Sequence, residues 1–349
     1  MRCNVEITEL TEEAMVSVEN LNVILGKKQI VHNVSFKVKK GEIIGMFGIS
    51  GAGKTTIIRV LTCQIEKKNW TGNVLVTGLT PSKKTNYSKI LSNIGYVPQL
   101  ELLNLYFELN PMVNVEVFTS TYGMDKKAAK ATAEKLFNIL DIPKDTWKKR
   151  VKKMSGGEKK RLSMAIGLIH NPKVLFLDEP TTGVDASKRY DILSYLKKLN
   201  QQLNTTMFII THDLEAALIC DKTAILREGK LLEFDIPQSL INSLPSKGLV
   251  ARISIESLNQ KIINMIQKYP SIKKVLRVGN ETIEVLMDDF EENLSKFMKF
   301  LFDNEFKVIS MSRDIANFRR YFQIRIQEEE EKELGQNQIE LMSDGGSQY

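Results

Sequence analysis

The chain has 349 residues, of which 42% are hydrophobic and 26% are charged, a composition typical of ordinary globular proteins. Lysine and arginine number 49 against 42 aspartates and glutamates, so the formal net charge is +7. No basic stripe with interleaved aromatic residues accompanies that charge, so it predicts a solvated lysine-rich surface and no nucleic-acid partner. The sequence also lacks a run of about eighteen apolar residues that could span a bilayer.

The cysteines and the first residues of the chain indicate a reducing compartment. Cys3, Cys63 and Cys220 are far apart and lack the spacing of a metal site or a disulfide framework. Their usage favours a cytoplasmic setting. The initial residues, MRCNVEITELTEEAM, carry acids where a secretory signal would need an apolar core, so export of this polypeptide is not expected.

In chain order, the first two thirds of the sequence alternate between strand and helix patterns. Residues 16–47 are predicted to form strands, ending in an apolar run that is typical of a fully buried strand. A helix from about Lys54 to Cys63 and strands in GNVLVTG and IGYVPQ follow, and residues 114–170 have a helical pattern. VLFLDEP is predicted as a strand, RYDILSYLKKLNQQL as a helix and TMFIITH as another strand. This order predicts an α/β fold with a largely parallel sheet and a helical insertion.

A second pattern of elements begins near DIPQSLINSLPSKG, where the composition changes. The following residues predict the order β-α-β-β-α-β of a ferredoxin-like unit, with a hairpin turn at Gly279-Asn280. The C-terminal segment is first acidic and then rich in glycine, serine and glutamine, which predicts disorder. We therefore predict a first domain over 1–245, a small α/β domain over 246–326 and a disordered tail over 327–349.

The segment GISGAGKTT fits the phosphate-loop pattern G-x-x-x-x-G-K-[ST] and lies between a predicted buried strand and a predicted helix. Glycines in such a loop let backbone N–H groups surround phosphates that a Cβ would crowd. Lys54 is expected to reach the β- and γ-phosphates, and the hydroxyl of Thr55 is expected to bind Mg²⁺. The candidate nucleotide-binding residues here are Gly48, Ile49, Ser50, Gly51, Ala52, Gly53, Lys54, Thr55 and Thr56.

Two acidic residues end the predicted strand in KVLFLDEP. A bound cation helps to keep adjacent carboxyl groups ionised. Asp178 is therefore the expected partner of Mg²⁺, and Glu179 is expected to orient or activate the attacking water. Taken alone, Asp-Glu after an apolar strand is often only a strand end, but the phosphate loop favours the catalytic interpretation.

The segment MSGGEKKR raises the possibility of a second phosphate site, because an apolar helical pattern follows it directly. Ser155 is a good N-cap, whereas two consecutive glycines lower helix propensity. Exposed N–H groups at a helix start suit an anion. The chain already contains one complete phosphate loop, so the phosphate that this second site serves is not evident from these residues alone.

Taken together, these motifs resemble those of ATP-binding cassette transporter subunits over about residues 16–240. MSGGEKKR resembles the signature sequence of that family, and LFLDEPTTGVD resembles its Walker B segment and D-loop. YVPQ and IITHD match the Q-loop and the switch histidine. The resemblance implies Gln99 near Mg²⁺ or the attacking water, His212 near the γ-phosphate and Asp185 at a dimer seam.

Cassettes of this family pair head to tail, and the resemblance implies the same here. Each signature helix would then contact the γ-phosphate of the ATP held by the phosphate loop of the partner. The residues implied in this contact are Ser155, Gly156, Gly157 and Glu158. Alignment places Leu25 where the family usually has an aromatic residue that stacks on adenine, so base stacking is expected to differ. His32 and His170 match no motif and are expected at the surface.

The motifs are most similar to those of export-type subunits that serve lipid or drug exporters. This resemblance implies a peripheral position on the cytoplasmic face of a membrane, through a separate permease, and a regulatory or dimer-supporting C-terminal domain. The alternative is a cassette ATPase acting on DNA or ribosomes. That alternative is disfavoured, because the chain lacks both a coiled-coil insertion and a second cassette. A degenerate, inactive cassette is disfavoured because Lys54, Asp178, Glu179 and His212 are all present.

Overall fold

The structure is a computed structural model that describes residues 14–344, without the side chains of 186–187 and 334–344. The N-terminal segment with Cys3 and the last five residues therefore lie outside the described part. The chain divides into two compact units between Phe234 and Asp235. This division lies ahead of the boundary expected at residue 245, because the helix that begins at Pro237 packs with the second unit.

The first unit contains a six-stranded sheet, a three-stranded antiparallel sheet and a set of helices. Its elements are β1 (Val16–Leu25), β2 (Lys28–Val38), β3 (Ile43–Phe47), α1 (Lys54–Leu61), β4 (Trp70–Val76), α2 (Tyr87–Asn93), β5 (Ile94–Val97), α3 (Pro111–Thr121), α4 (Lys126–Ile139), α5 (Gly156–Leu168), β6 (Val174–Asp178), α6 (Ala186–Leu203), β7 (Thr206–Ile210), β8 (Lys222–Arg227) and β9 (Lys230–Asp235).

A six-stranded sheet in the order β5-β6-β7-β3-β8-β9 forms the centre of this unit. Strand β3 runs parallel to β7 and β8, and β6 runs parallel to β5 and β7. Every residue of β3 and β7 is buried, as their apolar sequences predict for strands covered on both faces. The predicted parallel sheet is therefore confirmed, and the carboxyl ends of β3, β5, β6 and β7 meet at one edge.

Two further parts accompany the central sheet. Strands β2, β1 and β4 form a separate antiparallel sheet in that order, which shares a hydrophobic core with α1 and the central strands. Helices α3, α4 and α5 form the predicted helical insertion. Asn110 and Asp125 cap α3 and α4 by accepting backbone N–H groups, which explains where these helices begin.

The second unit begins with α7 (Pro237–Asn242) and continues with β10 (Leu249–Ile255), α8 (Gln260–Gln267), β11 (Ile272–Arg277), β12 (Thr282–Met287), α9 (Phe290–Asp303), β13 (Val308–Ile315) and α10 (Phe318–Asp344). Its four strands lie in the order β11-β12-β10-β13, and every neighbouring pair is antiparallel. Elements β10 to β13 thus follow the order β-α-β-β-α-β. Ile266, Phe297 and Leu301 of the two enclosed helices are buried against this sheet.

The tail expected to be disordered over 327–349 is helical as far as residue 344, because α10 extends to Asp344. The expectation of disorder was wrong for this part. Glutamate, lysine and glutamine are good helix formers. Arg325 lies 3.1 Å from Glu329, an i,i+4 ion pair that supports a helix. None of the helices in the described range combines the length and apolar composition needed to cross a membrane.

Candidate functional site

The phosphate loop connects the buried strand β3 to helix α1. Gly51 and Gly53 have φ values of +83° and +94°, which glycine adopts without strain. No atom lies within 4 Å of a Cβ built on Gly51, so the loop is open on that side. Nζ of Lys54 donates hydrogen bonds to the carbonyls of Gly48 (2.7 Å) and Ile49 (3.1 Å). The loop therefore has the backbone shape and the cation that suit a bound phosphate chain.

A cavity of about 760 Å³ lies over this loop. It collects side chains from the carboxyl ends of four central strands, although these residues are widely separated in the sequence. The lining residues are Lys28, Ile30, Gly48, Ser50, Gly51, Ala52, Gly53, Lys54, Thr55, Thr56, Arg59, Gln99, Asp178, Glu179, Ile210 and His212. The predicted phosphate-loop, Q-loop, Walker B and switch residues therefore surround one cavity, apart from Ile49, which is not in its lining.

Glu179 is held in place by several hydrogen bonds. The hydroxyl of Thr211 donates to Oε2 of Glu179 at 2.9 Å, and Nδ1 of His212 lies 3.0 Å from Oε1. The backbone N–H of Glu179 donates to the carbonyl of Ile210 at 2.8 Å. Glu179 has a φ of +49°, a conformation that is strained for a residue with a side chain. Thr211 was not predicted, because its role depends on a contact between the ends of β6 and β7.

Asp178 has a different set of neighbours. The hydroxyl of Tyr96 donates a hydrogen bond to Oδ2 of Asp178 at 3.1 Å. Burial raises the pKa of Asp178, while the hydrogen bond from Tyr96 and the cations of Lys54 and Arg59 act in the opposite direction. Burial also lowers the pKa of Lys54, against the opposing effect of Glu179 and Asp178. A cation close to Asp178 would favour its charged form.

The signature segment lies outside this cavity. Ser155 caps α5, since its hydroxyl accepts the N–H of Glu158 at 3.3 Å and the carboxylate of Glu158 accepts the N–H of Ser155 at 2.7 Å. A Cβ built on Gly156 or Gly157 would meet no atom within 4 Å, so packing in this chain does not require glycine at either position. Ser155, Gly156, Gly157 and Glu158 are therefore available to another molecule and do not contribute to the cavity of their own chain.

Behind the signature segment, a buried lysine connects α5 to the residues that follow β5. Lys160 is 1% exposed, and its Nζ lies 2.7 Å from Oε1 of Glu101 and 2.9 Å from the carbonyl of Gln99. This contact was not predicted, since a lysine in a charged run usually faces solvent. Asp185, expected at a dimer seam, is exposed at the start of α6 and pairs with Lys188 at 3.3 Å.

A second cavity of about 970 Å³, here called the groove, lies beside the Q-loop strand. It is lined by Thr62, Cys63, Gln64, Ser88, Leu91, Ser92, Ile94, Tyr96, Asn104, Phe118, Thr121, Tyr122, Ile166, Gly167 and His170. His170 was expected at the surface, but it stacks on Tyr122 with ring centroids 4.0 Å apart, and its Nε2 lies 2.8 Å from the carbonyl of Ile94. Burial lowers the pKa of His170.

The position aligned with the adenine-stacking aromatic residue does not line the nucleotide cavity. Leu25 is exposed at the end of β1, whereas Lys28 and Ile30 of the next strand line the cavity. Ile30 is thus the aliphatic side chain that this antiparallel sheet contributes to the cavity lining. Motif spacing does not specify how far a strand extends beside the phosphate loop.

The site defines a phosphate-loop ATPase of the cassette class, in which the Walker B carboxylates and the switch histidine His212 line the same cavity as the phosphate loop. The family model described as ABC transporter matches residues 31–182 of the chain. The chain is 32% identical over 231 residues to the Nod factor export ATP-binding protein I of Burkholderia orbicola, covering 66% of this chain and 73% of that protein. The chain therefore belongs to the ATP-binding cassette (ABC) transporter family.

Two further comparisons agree with this assignment. The linearmycin resistance ATP-binding protein LnrL of Bacillus subtilis is 29% identical over 261 residues, which cover 75% of this chain and 81% of that protein. The dimeric structure of the ATP-binding cassette MJ0796 bound to ADP and Pi superimposes with a TM-score of 0.56 at 25% identity, covering 64% of this chain and 98% of that chain. The predicted family, the cassette fold and the ATPase activity are confirmed.

Proposed function

We propose that this chain is the energising subunit of a membrane transporter: it dimerises around two ATP molecules and powers a separate permease that exports a lipid, a drug or a similar substrate. The observation that carries the proposal is the division of the motif residues. Phosphate-loop, Q-loop, Walker B and switch residues line one cavity, whereas the residues at the start of the signature helix are not part of its lining. One chain therefore supplies a nucleotide cavity and a separate signature segment, and a second chain is needed to bring the two kinds of residue together.

In this proposal, the phosphate loop holds the nucleotide through its N–H groups and Lys54. Thr55 and Asp178 are the residues that would hold Mg²⁺, because a hydroxyl and a carboxylate are oxygen ligands that suit this ion. Mg²⁺ supplies neutralisation of phosphate charge when it is bound. Within the described residues, no group of three or more His, Cys, Asp and Glu side chains could hold a metal. Gln99, whose side-chain carbonyl is a further oxygen donor, lines the same cavity as Thr55 and Asp178.

Glu179 is the proposed residue that orients the attacking water. Its carboxylate is 14% exposed and is fixed from two sides by Thr211 and His212, so it points into the cavity at little further entropic cost. His212 is well exposed and is proposed to contact the γ-phosphate. Hydrolysis of ATP by water then yields ADP and phosphate, through positioning and electrostatic stabilisation rather than covalent catalysis.

Pairing with a second cassette is supported by the open start of α5. The exposed N–H groups of Gly156 and Gly157, together with Ser155, are proposed to contact the γ-phosphate of the ATP that the partner chain holds. Anions are favoured at such a helix start. Asp185 is exposed and is proposed to lie at the seam between the two subunits.

Coupling to a permease is supported by the groove and by the apolar residues beside it. After Gln99, the side chains of Leu100, Leu102, Leu103 and Tyr106 are each more than half exposed. Clustered exposed apolar side chains mark interaction sites. We propose that a cytoplasmic segment of the permease docks here, which would make the chain peripheral on the cytoplasmic face. We propose export because of the motif resemblance and the similarity to the Nod factor export ATP-binding protein I.

For the second unit we propose a role in supporting or regulating the cassette dimer. Its edge strand β13 pairs on one side with β10, and it carries two well-exposed isoleucines, Ile309 and Ile315. Exposed edge strands are templates for pairing with another chain. Lysine at both positions should weaken the ATP-dependent dimer while leaving nucleotide binding intact; an unchanged dimer affinity would refute this role.

The dimer is tested with Glu179→Gln, which should bind ATP without hydrolysing it. We expect this variant to form a dimer with Mg²⁺ and ATP, measured by size-exclusion chromatography with light scattering. The matched control is Glu179→Gln combined with Ser155→Arg, which places bulk and charge at the start of α5 and should remain monomeric. A monomeric Glu179→Gln protein, or a dimer that tolerates Ser155→Arg, would contradict the proposed arrangement.

The permease is tested by pull-down from detergent-solubilised membranes. We expect a polytopic membrane protein to copurify with the chain and to be lost when Leu102 and Leu103 are replaced by aspartate. Association with ribosomes or DNA at ~0.15 M salt, where loose phosphate contacts weaken, would instead support a cassette not coupled to transport.

A further inference from the structure

Tyr96 lines the groove and is hydrogen-bonded to a residue of the nucleotide cavity. Its ring lines the groove, while its hydroxyl donates a hydrogen bond to Oδ2 of Asp178 at 3.1 Å. Strands β5 and β6 are parallel neighbours, and Tyr96 pairs in register with Phe176, two residues before Asp178. The side chain therefore extends along the sheet to the point where the Walker B carboxylate lies.

The hydroxyl of Tyr96 has a specific partner that packing alone would not require. Ile94, Gly95 and Val97 of β5 are buried, whereas Tyr96 is partly exposed on the groove side. A phenylalanine ring would fill the same space and lack only the donor. Asp178 lacks the two-sided support that Thr211 and His212 give to Glu179, so the tyrosine hydroxyl is well placed to decide which way this carboxylate faces.

We infer that Tyr96 is a positioning residue for Asp178, and that through its ring it links the groove to the metal-binding end of the nucleotide cavity. By holding Oδ2, the hydroxyl leaves Oδ1 free to be presented toward the phosphate loop. A segment that enters the groove would press on the ring that carries this hydroxyl. The identity of that segment and the metal role of Asp178 rest on the proposed function, whereas the hydrogen bond between Tyr96 and Asp178 does not.

The test is Tyr96→Phe, which keeps the ring and removes the donor. Binding of a fluorescent ATP analogue to the isolated chain is measured in EDTA and during a Mg²⁺ titration, with Mn²⁺ binding followed by electron paramagnetic resonance. We expect the affinity in EDTA to be unchanged and the half-saturating Mg²⁺ concentration to rise about tenfold, the lower end of the range for lost outer-shell partners of metal ligands. The matched control is Tyr122→Phe, which lines the same groove and should leave the titration unchanged.

The outcomes separate this inference from the proposed function. An unchanged Mg²⁺ midpoint in Tyr96→Phe overturns the inference and leaves the dimer and permease proposals intact. Equal shifts in Tyr96→Phe and Tyr122→Phe also overturn it, because they would show a general loosening of the groove. If the unmodified chain shows no effect of Mg²⁺ on nucleotide binding, the metal role proposed for Asp178 fails, and the inference fails with it. Thermal unfolding of both variants is measured as the check that each is folded.

Discussion

Replacing Lys160 with methionine removes a buried ammonium group while keeping most of the volume of its stem. Glu101 then loses its partner at 2.7 Å, and the carbonyl of Gln99 loses a donor at 2.9 Å. Removing one partner of a fully buried pair costs about 3–5 kcal/mol. Glu101 is 26% exposed, so water relieves part of that penalty, and we expect the free energy of unfolding to fall by about 2 kcal/mol.

That loss should lower the melting temperature of the first unit by about 4–8 °C, since 1 kcal/mol corresponds to about 2–4 °C for a domain of this size. Differential scanning calorimetry measures it. The control is Lys37→Met, because Lys37 pairs with Glu19 at 2.9 Å on the surface and should contribute under about 1 kcal/mol. Lys160→Met combined with Glu101→Leu should recover much of the loss. Equal melting temperatures for Lys160→Met and the unmodified chain would refute this reasoning.

Three further predictions concern other contacts. Because burial lowers the pKa of His170, the stability that this neutral imidazole contributes is present above about pH 6.5 and is lost as the pH falls further. As the pH is lowered from about 7 to about 5, the urea midpoint of the unmodified chain should therefore decrease relative to that of His170→Gln. A ratio of the two midpoints that does not change with pH would exclude titration of His170. Thr211→Val should lower ATP turnover roughly tenfold with little change in nucleotide affinity, because Glu179 loses one of its fixed donors; steady-state kinetics would show a change in KM alone if the hydroxyl only aided binding. Glu284→Gln should destabilise the second unit by about 2–3 kcal/mol, since the nearly buried Glu284 lies 2.6 Å from Arg320, and urea unfolding without a shift would contradict this.

The parts of the site that follow from local motifs could be predicted from the sequence. A phosphate loop needs glycines, a lysine and a hydroxyl at fixed spacing between a strand and a helix, so the sequence around Lys54 specifies its own local structure. The ends of parallel strands meet at one edge, which brings Gln99, Asp178, Glu179 and His212 together. Chain order and periodicity predict the phosphate loop and the Asp178–Glu179 pair, whereas the roles of Gln99 and His212 follow from the family resemblance.

The contacts that depend on how side chains meet across elements could not be predicted. Tyr96 and Asp178 are 82 residues apart, and Lys160 meets the Gln99 carbonyl over 61 residues. Neither pair has a sequence signal, because lysines usually face solvent and a tyrosine in a strand does not reveal its hydrogen-bond partner. The helical tail was mistaken for disorder because its composition is polar, whereas the i,i+4 pair Arg325–Glu329 and the i,i+3 pair Lys332–Glu329 favour a helix.

The carboxylate of Glu158, which accepts the N–H of Ser155, has a consequence for how the signature helix would receive a phosphate. This side chain would compete with a bound anion for the N–H of Ser155, because its carboxylate already accepts that N–H at the positive end of the helix dipole. An incoming anion must displace the carboxylate or rely on the N–H groups of Gly156 and Gly157. Under the proposed pairing, the terminal phosphate would therefore meet a helix start that already holds one carboxylate, that of Glu158.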